Sequence, residues 1–232
     1  MKRPGARRRG DVPAGGALAA LEGAALIAIN LLATPLVGRR RLRWGTRGSE
    51  HRDALPGDDL VPTPRWSYTL AVDVAAPPGK VWPWIAQIGQ GRGGFYTYQG
   101  LENLVGCRIR NTGEILPEFQ DPQVGGEIYL HPTAPPMRIA VVDPPQALVL
   151  SGSPAEATRE GSWGVSTWQF VVKPRADGAS RFLTRGRYDY SDHISSRLGF
   201  GRFPLEAITF TMSRRMMLEV KRLAGRLAEQ DS

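Results

Sequence analysis

The sequence predicts an α+β domain in which a curved antiparallel sheet wraps around a long C-terminal helix. Between residues 67 and 190 the apolar residues alternate with polar ones in short segments bounded by Pro, Gly or Asp, the pattern of half-buried strands. From Pro204 to Glu229 the period changes to 3.6. Leu205, Ile208, Met212, Met216, Val220, Leu223 and Leu227 then share one stripe, while Arg214, Arg215, Lys221 and Arg222 lie elsewhere. Charge separates an N-terminal extension from this domain. Residues 1–52 carry eleven Lys/Arg against three acids, which is the whole net charge of +8, so residues 53–232 are formally neutral.

That asymmetry bounds the function. A nucleic-acid-binding domain needs a basic face of its own, and a neutral globular part argues against one, so no nucleic-acid partner is expected. Cys107 is the only cysteine, which excludes an intramolecular disulfide and a thiolate metal cluster. His51, His131 and His193 are scattered without metal-binding spacing, so neither a metal nor a cofactor is expected.

In chain order, residues 1–42 form the basic extension. It contains a hydrophobic helix over 15–37, flanked by Arg7–Arg9 and Arg39–Arg43. This stretch is long enough to cross a bilayer, but alanine and glycine make it only marginally apolar, and Glu22 and Asn30 oppose insertion. Leu18, Leu21, Ala25, Ile29, Leu32 and Leu36 fall at 3,4,4,3,4 spacing and give the helix one apolar face. A membrane span, an interfacial helix, a signal peptide and a helix docked on the domain all remain open. The localisation is accordingly read as membrane-associated or cytoplasmic.

Residues 43–64, rich in Gly, Pro and Asp, read as a linker, and the domain proper spans 65–229. Its first strand is Ser67–Val74. Pro77-Pro78 stops it and suits a helix start, so Pro78 to about Gln87 reads as a helix, with Pro83 in its first turns. The glycine-rich run Gly89–Gly94 breaks the chain before a second short helix at Gln99–Val105. Five strand-like pieces follow, at Glu127–His131, Met137–Val142, Ala147–Ser151, Gly164–Lys173 and Arg181–Tyr190, and their short links predict antiparallel pairing.

Several strings in this order carry a resemblance. They are Ala76-Pro77-Pro78 with Val81-Trp82-Pro83-Trp84, the run Gln87–Tyr98, Leu101-Glu102-Asn103-Leu104, Pro117-Glu118-Phe119-Gln120, Trp168-Gln169-Phe170 and Met212–Met216. From about Pro56 to Ala228 the chain resembles the helix-grip fold of the START-related (SRPBCC) superfamily, and within it a subfamily of unassigned activity. The superfamily includes lipid carriers, hormone receptors and polyketide cyclases. The resemblance therefore implies an internal cavity for an apolar or amphipathic small molecule without choosing a function.

Candidate site residues follow from side-chain chemistry. The glycine run matches GxGxxG but follows a helix, so a close turn explains it better than a phosphate cradle. Tyr96, Tyr98, Glu102 and Asn103 combine rings with polar tips and suit either a pocket mouth or core anchors. Trp84, Trp168, Phe170, Met212 and Met216 suit a core or an adaptable pocket wall. Arg185 and Arg187 share a strand face with Leu183; the favoured reading points that face inward, so that Arg185 requires a partner such as Glu102, Glu118 or a ligand carboxylate, whereas with Phe182 and Thr184 inward both arginines are solvated. Three readings compete: a carrier of a lipid- or polyketide-like molecule, tethered or not by 15–37; a cyclase or dehydratase using Tyr96, Glu102 and Arg185; and an interaction protein with a vestigial pocket. The last predicts a collapsed cavity and an exposed apolar patch.

Overall fold

The computed structural model describes residues 14–152 and 161–230. The basic flank Arg7–Arg9 lies outside the described residues. Helix α1 (Ala14–Arg41) leads into a turn-rich segment that ends at β1 (Trp66–Val74), followed by α2 (Pro78–Ala86) and α3 (Gln99–Leu104). Then come β2 (Glu127–Ile128), β3 (Met137–Asp143), β4 (Ala147–Gly152), β5 (Gly164–Pro174), β6 (Ser180–Tyr190), α4 (Ile194–Phe200) and α5 (Arg202–Glu229). The six strands form one antiparallel sheet in the order β1-β6-β5-β4-β3-β2. It is curved and open, and it grips α5 in a helix-grip-like topology.

Alternation sets the two faces of the sheet. Trp66, Tyr68, Leu70, Val72 and Val74 of β1 point into the main core, and the register places Tyr188, Gly186, Thr184, Phe182 and Ser180 of β6 beside them. Gly186 is required there, because a Cβ would lie 2.3 Å from Cε1 of Tyr68, whose ring crosses the strand at that point. The concave face closes on Met216, Met217, Val220 and Leu223 of α5 and on Val81, Trp84 and Ile85 of α2.

The convex face is covered as well. Residues 43–64, read as a linker, are strapped across it, with Leu55 packing on Ala71, Val171 and Leu183. The segment also protects the free edge of the sheet: the amides of Thr69 and Ala71 donate to the carbonyls of Leu42 and Trp44 at 2.7 and 3.0 Å.

The N-terminal half of α5 departs from the simple stripe. Glu206 and Thr211 are buried while Ile208 is exposed, because α1 lies along this half and covers a second face of α5. Helix α4 had no counterpart in the sequence reading. Its seven residues between β6 and α5 are too few for a visible period.

Candidate functional site

The interior of the grip is filled by its own side chains. Trp84 meets Tyr96 edge-on at 6.2 Å, while Trp168 packs against Phe95 at 6.0 Å and Phe170 at 4.7 Å. The space between β1 and α5 beside Arg41 and Phe210 is ≈ 10 Å³, about the size of one water. The larger hollows, ≈ 400 and ≈ 360 Å³, are open surface grooves that share Arg43 and His51. None of these three hollows is an enclosed, ligand-sized cavity.

The three residues chosen for chemistry do not converge. Tyr96 is buried, and its hydroxyl accepts from Nε2 of Gln87 at 2.9 Å; burial pushes its phenol well above the ordinary range. Gln87 is a tie that sequence reading missed. Its amide also donates to the Glu114 carbonyl, and its Oε1 accepts from the Leu116 amide and from Gln120. Glu102 is buried on α3, where one oxygen accepts from the Thr97 hydroxyl at 2.5 Å and the other has no partner among the described residues. Burial raises its carboxyl, against the Thr97 hydrogen bond.

Arg185 corrects the expectation of an inward-pointing guanidinium. Phe182 and Thr184 take the concave face, so Leu183, Arg185 and Arg187 face outward. Arg185 is nevertheless only 3% exposed, because the strap buries it. It donates to Asp58 at 2.6 Å, to the carbonyls of Asp53 and Glu50, and to the Thr69 hydroxyl. The ion pair exists, but its partner is Asp58, not Glu102 or Glu118. Beside it, Arg181 joins Glu50 and Asp73, and Arg187 reaches Asp58. This outer row clamps the strap to the sheet.

The pocket-wall candidates separate in the same way. Trp84, Phe170 and Met216 are fully packed in the core. Trp168 is half-buried and donates through Nε1 to Thr184, while Met212 is half-buried on α5. Asn103 points to the surface and clasps both backbone groups of Ile109, at 2.9 and 2.5 Å. Tyr98 turns away from the grip and forms the plate on which α1 rests.

The surface that α1 builds is the most distinctive one. Its docked side uses small and polar residues at spacings of three or four. Gly16 and Ala20 meet Gly100, Gly23 lies on the Tyr98 ring, and Asn30 reaches the Thr211 hydroxyl at 3.3 Å. A Cβ on Gly23 would sit 2.7 Å from Cγ of Tyr98, so glycine sets this close approach. Further along, Arg41 is buried between Thr34 and Glu206, at 2.7 and 3.2 Å. Arg202 holds the other oxygen of Glu206 at 2.6 Å. On the opposite side, Leu18, Leu21, Ile29, Leu32 and Leu36 face solvent, Leu32 and Leu36 being 84% and 87% exposed.

No family model matches the chain, and no curated protein sequence matches it. Solved structures are similar in fold. A protein from Mesorhizobium loti is 13% identical over 69% of this chain and 98% of its own, with a TM-score of 0.40. CalU16 from Micromonospora echinospora is 15% identical over 71% of this chain and 86% of its own, with a TM-score of 0.32. A Rhizobium loti protein is 16% identical over 66% and 96%, with a TM-score of 0.37.

A helix docked on a soluble domain buries its large apolar residues and exposes its polar ones. In α1 five large apolar residues face outward, although Leu26, Ile27 and Leu31 are half-buried toward the domain. Its outward stripe is the leucine face, and its middle stretch, Gly16–Thr34, is long and apolar enough to cross a membrane.

Proposed function

We propose that the protein is a membrane-surface domain of helix-grip type, with α1 embedded in the bilayer interface through its leucine stripe. The observation that carries this reading is the outward stripe of α1: Leu18, Leu21, Ile29, Leu32 and Leu36 are exposed, with Glu22 the one acid among them, while Gly16, Ala20, Gly23 and Asn30 make the close contacts to the domain. Each apolar side chain of the stripe contributes roughly 1.5–3 kcal/mol when fully moved from water into hydrocarbon, enough together to hold a domain on a membrane.

An interfacial position fits better than a span. Helix α1 runs antiparallel to α5 and is tied to it at Asn30 and Arg41. Crossing the bilayer in this arrangement would drag exposed Arg214 and Arg215 of α5 into hydrocarbon, at a cost of several kcal/mol. Lying in the interface costs nothing of the kind.

The experiment is flotation of the purified full chain with phosphatidylcholine vesicles, alongside a Leu32→Ser/Leu36→Ser variant. Wild-type protein should float and the variant should float several-fold less while keeping its thermal midpoint, because neither side chain contributes to the core. Equal flotation of the two would rule out the stripe as the membrane contact.

A second reading keeps the small-molecule role that the SRPBCC resemblance implies. Trp84 Nε1 and Glu102 Oε2 are buried without partners among the described residues, and a ligand with polar groups would satisfy such atoms. The packed aromatic residues must part to admit it. Native mass spectra before and after organic extraction test this: a reproducible bound mass that disappears on extraction supports a carrier, and an empty folded domain counts against it.

A further inference from the structure

The leucine stripe of α1 does not end in solvent. Leu18, Leu21, Ile29, Leu32 and Leu36 are followed at the same three- or four-residue spacing by Arg39, Arg40 and Arg43, all exposed. The stripe is therefore apolar over five turns except for exposed Glu22, and cationic at and just past the end of the helix. No ion pair of Arg39, Arg40 or Arg43 occurs among the described residues, whereas neighbouring Arg41 and Arg47 are committed to Glu206 and Asp73. Complementing the negative end of the helix dipole accounts for a cation in this turn, but not for three of them on the membrane-facing side.

The ground around them is also hollow. Arg40, Arg43, Trp44 and His51 line a groove of ≈ 400 Å³, and it adjoins a second of ≈ 360 Å³ that adds Arg39 and Thr69. Trp44 stands half-buried at this rim, with Arg214 stacked over its ring at 5.2 Å. Tryptophan beside arginine is the pairing favoured at headgroup depth, where the ring lies among acyl carbonyls and the guanidinium reaches phosphate.

Building on the membrane reading above, we infer that the arginine-lined groove at the C-terminal end of α1 binds the phosphate of anionic phospholipid headgroups and makes the protein selective for negatively charged bilayers. The planar guanidinium forms two parallel hydrogen bonds to a phosphate, a geometry that lysine does not offer. Arg40 and Arg43 line one groove and Arg39 and Arg43 the other, where the leucine stripe leaves the acyl region. The formal neutrality of residues 53–232 adds no net repulsion from an anionic surface.

The test uses the full chain, phosphatidylcholine vesicles, and the same vesicles with one third of the lipid replaced by phosphatidylglycerol. Each basic residue at an anionic surface is worth about a factor of five in binding. Wild-type protein should bind the anionic vesicles at least on the order of 100-fold more tightly than the neutral ones, with the difference shrinking as salt is added. Arg39→Gln/Arg40→Gln/Arg43→Gln should cut that preference on the order of 100-fold, leaving only what Lys2, Arg3 and Arg7–Arg9 supply, yet bind neutral vesicles as wild type does, with an unchanged thermal midpoint. Equal binding of wild type to both vesicles overturns the headgroup site and leaves the membrane reading intact. Preference for anionic vesicles that the triple substitution leaves undiminished also overturns it. Binding to neither vesicle removes both, as does a wild-type dimer that Leu32→Ser/Leu36→Ser converts to a vesicle-inert monomer, because the stripe then serves a second copy of the chain.

Discussion

Arg185 and Glu102 are both buried and charged in sequence terms, yet their surroundings make opposite demands. Arg185 has four acceptors around it, one of them an aspartate at 2.6 Å, so Arg185→Met would leave Asp58 with only Arg187, Gln169 and the Leu55 amide and would unpair three backbone or hydroxyl oxygens. The expected loss is roughly 2–4 kcal/mol, moderated because Asp58 is 21% exposed and regains water. A chemical denaturation midpoint measures it, and vesicle binding should be unaffected. Glu102 behaves in the other sense. Its folded carboxyl is raised, so its contribution to stability is fully present below the unfolded pKa and is lost as pH rises through the folded one. Glu102→Gln should therefore raise the thermal midpoint at neutral pH and leave it unchanged in acid. A lower midpoint at neutral pH would mean that the charged form is needed. Side-chain chemistry required a partner for Arg185 only if its face pointed inward, and read an outward Arg185 as solvated; the face is outward and Arg185 is paired all the same. Nor did it announce the partner, because Asp58 is 127 residues away in the chain.

Element by element, the strands were legible from alternation, and their bounds agree with the structure to within a residue or two, except that β2 keeps only Glu127–Ile128. Helix α1 was legible as a helix and as an apolar stripe, but not in its orientation. Periodicity identifies which residues share a face, and cannot say whether that face meets protein or lipid. The answer lies in Gly16, Ala20 and Gly23, whose small size is useful only once Gly100 and Tyr98 are in place. Gly23→Val should therefore undock α1 by pressing a branched side chain into the Tyr98 ring, at about 1–3 kcal/mol. Limited proteolysis should then cut between α1 and the strap sooner than in wild type. Gly186→Val strikes the core instead, at Tyr68, and should lower global stability without selectively loosening α1.

At the scale of the whole molecule, the sheet is stabilised on both sides by different physics. The concave side is apolar packing, and the convex side is a strap held by an ionic row. Glu50 and Asp73 anchor that row. The carboxyl of Glu50 is held low chiefly by its hydrogen bond from Arg181, against desolvation. Asp73 is held low although desolvation opposes it, through Arg175, Arg181 and Arg47. For a depressed carboxyl the contribution is present above the unfolded pKa and lost as pH falls through the folded one. The thermal midpoint should thus decline as pH drops from about 5 through the carboxylate range, more steeply than in an Asp73→Asn variant. Hydrogen exchange should show the strap amides opening first.

Local periodicity and punctuation were enough to establish the fold class, the order of elements, the lone terminal grip helix and the charge split between extension and domain, because each depends on neighbours within a few residues. The outward face of β6, the Asp58 partner, the aromatic packing inside the grip and the docked side of α1 became readable only in the packed chain. Each is set by competition among distant surfaces for the same buried area, and a linear pattern records which residues seek burial without recording which surface receives them.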